Sequence, residues 1–210
     1  MTLSDGITEL GLTLPAGAVE QLTAYLALLV KWNKVYNLTA IRDPEEMVTH
    51  HLLDSLVILE KLQKSALVGR RESGEAFTLA DVGSGAGLPG LVLAIARPDW
   101  SITSIESVDK KAAFQRQVKI ELGLANVSIH CGRVEDVNET FAAVISRAFA
   151  SLGDFVRLAG HLSPCLWAMK GAYPADEITA LPTGWRMSAS HELKVPGLNA
   201  ERHLLQLEKT

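Results

Sequence analysis

Cysteine, unbroken apolar stretches and surplus positive charge are what this sequence has least of. The 210 residues hold two cysteines, Cys131 and Cys165, too few for a disulfide scaffold or a zinc cage. Both adjoin strand-like segments, where a buried reduced thiol is the expected state. That usage suits a cytoplasmic protein, and no metal is expected. No apolar run approaches the roughly 18 residues of a membrane span. The first ten residues, MTLSDGITEL, have no basic flank followed by an apolar core, so they do not read as a secretion signal. Lys and Arg number 20 against 24 Asp and Glu, a net charge of −4. This argues mildly against nucleic acid as a partner, because phosphate binding favours a basic footprint. The deficit is uneven, however. Residues 107–120, SVDKKAAFQRQVKI, carry Lys110, Lys111, Arg116 and Lys119 against Asp109 alone.

What is present is a 48% hydrophobic fraction, enough to bury a real core, and two zones of different periodicity. Residues 1–66 read as a helical extension. Leu22, Tyr25, Leu26, Leu29, Trp32, Val35 and Tyr36 recur at helix spacing. A second helix is expected from an Asp43 N-cap, with Pro44 in first position and Glu45 and Glu46 in the first turn, on to about Leu62. The polar segment LVGRRESGEA (67–76) is the expected boundary. From there strands and helices alternate: strands at 77–82, 101–106, 127–131, 142–148 and 166–171, with helices at 88–96, 110–122 and 151–162. Two closing strands, MSASHELKV and RHLLQLEK, are joined by PGLNA with no helix between. Residues 67–210 therefore predict an α/β domain with a mostly parallel sheet and a C-terminal antiparallel hairpin. Its ligands should lie at the carboxyl ends of the strands.

The chemistry centres on LADVGSGAGLPGLVLAIARPDW, Leu79 to Trp100. Two frames fit it. Gly85-x-Gly87-x-x-Gly90 matches the dinucleotide fingerprint, and Glu106 lies near the spacing of the ribose-binding acid. Asp81-x-Gly83-x-Gly85-x-Gly87 is instead the acidic glycine turn of S-adenosylmethionine-dependent methyltransferases. A pyrophosphate wants helix N–H groups and no nearby carboxylate, so Asp81 would repel it, whereas the same carboxylate suits an ammonium and a sulfonium. The methyl-donor frame is preferred. Asp81 could also serve only as a helix cap. Glu106, with the adjoining Ser107, is expected at the ribose.

Further segments resemble one family, the glucose-inhibited division protein B family. They are WNKVYNLTAIRDPEEMVTHHLLDSL (32–56), DVGSGAGLPGLVLAIARP (81–98), ESVDKKAAFQRQV (106–118), RVED (133–136), ISRAFASL (145–152) and MKG (169–171). The resemblance spans nearly the whole chain and is looser over 172–200. It implies a class I, Rossmann-like, seven-stranded methyltransferase that modifies N7 of a guanosine in the decoding-region loop of 16S ribosomal RNA, free or in the small subunit. It also implies cofactor contacts at Gly83, Leu88, Val134, Glu135 and Arg147. Val134 and Glu135 suit an adenine clamp, an apolar wall beside an acceptor for the exocyclic amine.

The residues after the fourth strand usually define the methyl acceptor in this fold. The Asp/Asn-Pro-Pro-aromatic turn of exocyclic-amine enzymes is missing there. Cys165, which could suggest a cytosine C5 nucleophile, precedes the fifth strand and reads as core. Ser146-Arg147-Ala148-Phe149 occupies the place. Guanine N7 has a lone pair and no proton to lose, so its methylation needs placement and desolvation and no general base. No catalytic residue is assigned. Arg147, His51 and Asp54 are positioning candidates on this edge. Phe149 could stack on a flipped base or sit in the core. Lys110, Lys111, Arg116 and Lys170 are candidates for phosphate contacts. A protein or small-molecule acceptor, and a dinucleotide-binding oxidoreductase, are the alternatives. A monomer is the default expectation.

Overall fold

The computed structural model describes residues 1–64, 76–147 and 149–210. The boundary expected at residues 66 and 67 falls outside them.

The N-terminal zone is helical, as its periodicity predicts. Helix α1 (Leu3–Glu9) begins in a capping box: Asp5 N–H donates to Thr2 Oγ1 and Thr2 N–H donates to the Asp5 carboxylate. Helix α2 (Ala18–Tyr36) buries Leu22, Tyr25, Leu28 and Leu29 and stops at Asn37, which takes a left-handed φ of 49°. Asp43 caps α3 (Pro44–Met47), its side chain accepting from Glu45 N–H with Pro44 in first position. The expected single helix to Leu62 is not continuous. A π-helical turn (Val48–Leu53) interrupts it, followed by α4 (Asp54–Leu56) and α5 (Leu59–Lys64). Every residue from His51 to Leu56 is buried. An amphipathic stripe would bury only one face of such a run; this one is enclosed on all sides, so periodicity could not define its shape.

Seven strands form one sheet: β1 (Phe77–Val82), β2 (Trp100–Glu106), β3 (Val127–Cys131), β4 (Ala143–Ser146), β5 (Cys165–Lys170), β6 (Trp185–Glu192) and β7 (His203–Lys209). Their order is β3-β2-β1-β4-β5-β7-β6. The first five run parallel, and β7 is antiparallel to both β5 and β6. Strand β4 is shorter than the expected 142–148. The crossover helices are α6 (Gly90–Ala96), α7 (Asp109–Leu122) and α8 (Leu152–Ala159). Gly123 ends α7 with φ 64°, and Ser151 caps α8 by accepting from Asp154 N–H. A short helix, α9 (Ala175–Thr179), lies in the stretch whose reading was loosest.

The two faces of the sheet carry separate cores. On one, Leu22, Tyr25 and Leu29 of α2 and Leu52, Leu53 and Leu56 join Leu91, Phe114 and Leu79 in a single cluster. The N-terminal layer thus packs on the same face as α6 and α7. On the other, Leu152, Phe155 and Val156 of α8 cover Ala80, Val144 and Leu205. Strand order reverses between β1 and β4, so the carboxyl ends of β1, β2 and β4 open onto one crevice. The N-terminal layer reaches the rim of that crevice through the π-turn.

Candidate active site

The loop from Gly83 to Gly90 owes its shape to polar side chains packed behind it. Gly85 and Gly87 have φ of 61° and 87°, values an L side chain rarely adopts. Gly85 N–H donates to Glu106 Oε2 at 2.7 Å, and Val108 N–H donates to Glu106 Oε1 at 2.8 Å. Gln115 Nε2 donates to the Gly85 carbonyl and to Ser84 Oγ, both at 2.8 Å. Ser104, on β2, bonds both Ser84 and Gln115, and all three side chains are buried. From the N-terminal layer, the Tyr25 hydroxyl donates to the Ala86 carbonyl at 2.9 Å. Neighbouring elements therefore hold the loop rigid before anything binds.

Asp81 departs from the sequence expectation. Its carboxylate does not face outward: the residue is fully buried, and Oδ2 accepts from Gly90 N–H at 2.7 Å, the first residue of α6. The helix-cap role weighed beside the ligand role is the one its geometry displays. Oδ1 is buried without a partner. Burial pushes the carboxyl up from 3.8 to about 7, against the opposing effect of the Gly90 hydrogen bond. This also changes the ground for rejecting a dinucleotide. Two N–H groups that a pyrophosphate would need, those of Gly85 and Gly90, are already taken by carboxylates.

Three clefts run along the sheet edge. The largest, about 550 Å³, is lined by Gly83, Ser107, Val134, Glu135 and Phe149. The second, about 130 Å³, lies over the glycine loop and is lined by Thr39, His51, Gly83, Gly85, Leu88 and Arg147. The third, about 390 Å³, is lined by Ile41, His50, His51, Asp54, Arg147, Met169, Arg202 and His203. Gly83 is shared by the first two, and His51 and Arg147 by the last two. The succession is a nucleoside-sized cavity, a bare backbone passage and a cation-rimmed chamber.

A set of buried polar contacts builds the passage between the second and third clefts. Asn33 donates to the Ile41 carbonyl and accepts from Thr39 N–H, pinning the turn after α2. Thr39 Oγ1 lies 2.9 Å from His51 Nε2. His51 Nδ1 has no partner, and burial, more than the nearby Arg147 charge, lowers its pKa to about 4, so the ring is neutral. Arg147 Nη1 donates to Asp54 Oδ2 at 2.9 Å and to the His50 carbonyl at 3.1 Å. Asp54, 2% exposed, also accepts from Arg202 Nε at 2.9 Å. Arg202 was missed in sequence because it reads only as the start of a closing strand, 148 residues from its partner.

Lys170 is engaged within the protein, and Phe149 takes the core side of its two expected roles. Lys170 is not free for a phosphate: its Nζ donates to Glu177 at 2.9 Å and to the carbonyls of Phe149 and Ala150. Glu177 in turn accepts from Leu152 N–H. Lys170 therefore braces the loop after β4. Phe149 lines the first cleft and stacks on Phe155 with ring centroids 5.0 Å apart, away from the third cleft. Lys110 and Arg116 are exposed and Lys111 is half-buried on α7. Arg116 reaches Asp109 at 3.8 Å.

The residues present fit S-adenosylmethionine. Val134, Glu135 and Ser107 line the largest cleft, and Glu106 ends β2 beside Ser107. A Cβ added at Gly85 would meet nothing within 4 Å, so its backbone borders open space.

Sheet order, acid-ended β2 and glycine loop together define a class I S-adenosylmethionine-dependent methyltransferase. Solved structures with this fold include a mutant of MtNAS in complex with S-adenosylmethionine, at TM-score 0.58 and 15% identity over 90% of this chain and 74% of that one. TrmN from Thermus thermophilus matches at TM-score 0.56 and 15% identity, over 78% of this chain and 53% of that longer one. Residues 18–205 match the model of the GidB family, described as rRNA small subunit methyltransferase G. The ribosomal RNA small subunit methyltransferase G of Azoarcus sp. (strain BH72) is 54% identical over 99% of this chain and 95% of its own length. That of Aromatoleum aromaticum is 53% identical over 99% and 98%. The chain belongs to the GidB family of S-adenosylmethionine-dependent rRNA methyltransferases.

Proposed function

We propose that this protein methylates N7 of a guanosine in the decoding-region loop of 16S ribosomal RNA, in the cytoplasm and as a monomer. The observation that carries the reading is the continuity of the three clefts, the first two through Gly83 and the last two through His51 and Arg147. A nucleoside cavity at one end and a basic chamber at the other meet at a single narrow passage. Bound S-adenosylmethionine supplies an electrophilic methyl group on a sulfonium centre. Glu135 and Val134 would hold its adenine, Glu106 its ribose, and the Gly83–Leu88 backbone its passage toward Arg147. His51 keeps its Nε2 on Thr39, and its Nδ1 is enclosed, so it is not presented as a proton acceptor. An acceptor nitrogen with a lone pair and nothing to deprotonate suits such a passage, where positioning and exclusion of water do the chemistry.

The third cleft also answers the charge objection. Arg147 and Arg202 face a single carboxylate, Asp54, so a net negative protein presents a cationic chamber at its site. Arg147 and Arg202 would meet the phosphates flanking the target nucleotide, held at fixed spacing by Asp54. The test is tritiated methyl transfer to small ribosomal subunits, naked 16S RNA and total protein in parallel. Label in RNA alone is expected. Label confined to protein would overturn the reading.

A further inference from the structure

We propose that Tyr173, held against His203, is a stacking platform for an unpaired base of the RNA at the mouth of the third cleft. The inference rests on the reading of that cleft as the acceptor chamber. Phe149, which could have stacked on a base or joined the core, lines the first cleft and is packed on Phe155, away from the third cleft. Among the described residues, the exposed aromatic rings are Tyr36 and Tyr173. Tyr36 lies tilted against Trp32 within α2, centroids 5.1 Å apart, and its ring touches no residue that lines the chamber.

Tyr173 is placed differently. It lies three residues beyond the end of β5, between Gly171 and the start of α9. Its ring stands edge to face with His203, centroids 5.5 Å apart at 68°. His203 lines the chamber itself, and its Nδ1 bonds the Gly171 carbonyl at 2.8 Å. A carbonyl only accepts, so Nδ1 carries the hydrogen and the ring orientation is fixed. One contact thus pins both the chamber wall and the turn that carries Tyr173. Even so, 46% of Tyr173 remains exposed, against His203, which lines the chamber together with Arg147 and Arg202. Rigid aromatic area next to phosphate-binding cations is the arrangement that takes single-stranded bases, since every base offers a π-face. A base extruded into the chamber leaves its neighbour unstacked, and Tyr173 would replace the lost stacking partner.

The experiment compares Tyr173→Ala, Tyr173→Phe and Tyr173→Trp by steady-state methyl transfer to small ribosomal subunits, with S-adenosylmethionine affinity measured by calorimetry. Removal of the ring should raise KM for RNA about tenfold at near-constant kcat. The Phe and Trp variants should stay close to wild type, because the planar ring is what matters. S-adenosylmethionine affinity should be unchanged in all three. An unchanged KM in Tyr173→Ala, a failure of both aromatic variants to restore it, or a parallel loss of cofactor affinity would each overturn the proposal. If the wild-type protein itself transfers no methyl to subunits, the reading of the chamber fails instead, and that outcome is visible before any variant is made.

Discussion

Arg147 Nη1 lies 2.9 Å from Asp54 Oδ2, joining the loop after β4 to the buried helical segment that begins at the π-turn. The bond is reinforced from a third direction by Arg202. One carboxylate thereby sets the spacing of two guanidinium groups in the third cleft. Replacing Asp54 with Asn should leave those cations without their counter-charge, costing about 2 kcal/mol of stability because both arginines are partly exposed. RNA methylation should fall further than the stability loss explains. Urea unfolding alongside subunit methylation checks this, and full activity in Asp54→Asn would contradict it.

Glu106 bonds two backbone N–H groups, those of Gly85 and Val108. A glutamine there can accept only one of them and turns an amide donor toward the other. Glu106→Gln should weaken S-adenosylmethionine binding by about tenfold or more, as read by calorimetry, with little change in RNA affinity.

The glycines separate steric roles from binding roles. At Gly90, an added Cβ would meet Asp81 Oδ2 at 2.7 Å and its Cβ at 2.9 Å. Gly90→Ala should therefore damage folding. At Gly85 nothing lies within 4 Å, so Gly85→Ala should cost only about 1–2 kcal/mol of backbone strain. It should nevertheless abolish cofactor binding, because the methyl group projects into the passage. Thermal denaturation with and without S-adenosylmethionine distinguishes the two. A Gly85→Ala protein still stabilised by the cofactor would show that the loop is not its seat.

Asp81 should make cofactor binding depend on pH. Its folded-state pKa of about 7 exceeds its ordinary 3.8, so the folded protein holds this proton more tightly than the unfolded chain. The stability this contributes is full below pH 4 and is lost as pH rises through about 7. His51 acts in the opposite direction: with a folded value near 4 against 6.5, it destabilises the fold as pH falls from 6.5 toward 4. Asp81 is bonded to the end of the glycine loop, so a cation bound over that loop would favour its ionised form, and S-adenosylmethionine affinity should rise between pH 6 and 8 with release of a proton. Calorimetry at pH 6.5 in two buffers of different ionisation enthalpy reads that proton directly. Asp81→Asn should bind with no such buffer dependence, and a wild-type protein showing none would rule the linkage out.

Much of the sheet was legible because its signals are local. Strands and crossover helices from Phe77 to Lys170 follow apolar alternation, a Pro98 stop and a Gly123 cap, and Gly83, Gly85 and Gly87 announce their loop by composition. The harder parts depend on contacts remote in sequence. The Ser84, Ser104 and Gln115 network joins three elements through unremarkable polar residues. Arg202 finds Asp54 only once β7 is in place. The π-turn escapes periodicity because the run it leads into, His51 to Leu56, is buried at every residue. Lys170 and Phe149 were placed at the correct edge of the sheet, but charge and aromaticity do not reveal which neighbour a side chain will choose.

The passage between His51 and Arg147 should deliver a methyl group to one ring nitrogen that needs no base. Small subunits from cells lacking the gene can be incubated with the protein and S-adenosylmethionine, then treated to cleave RNA at 7-methylguanosine. One new scission in the decoding-region loop of 16S RNA is the predicted result. A methyl group found on an exocyclic amine, on cytosine C5 or outside that loop would contradict the account.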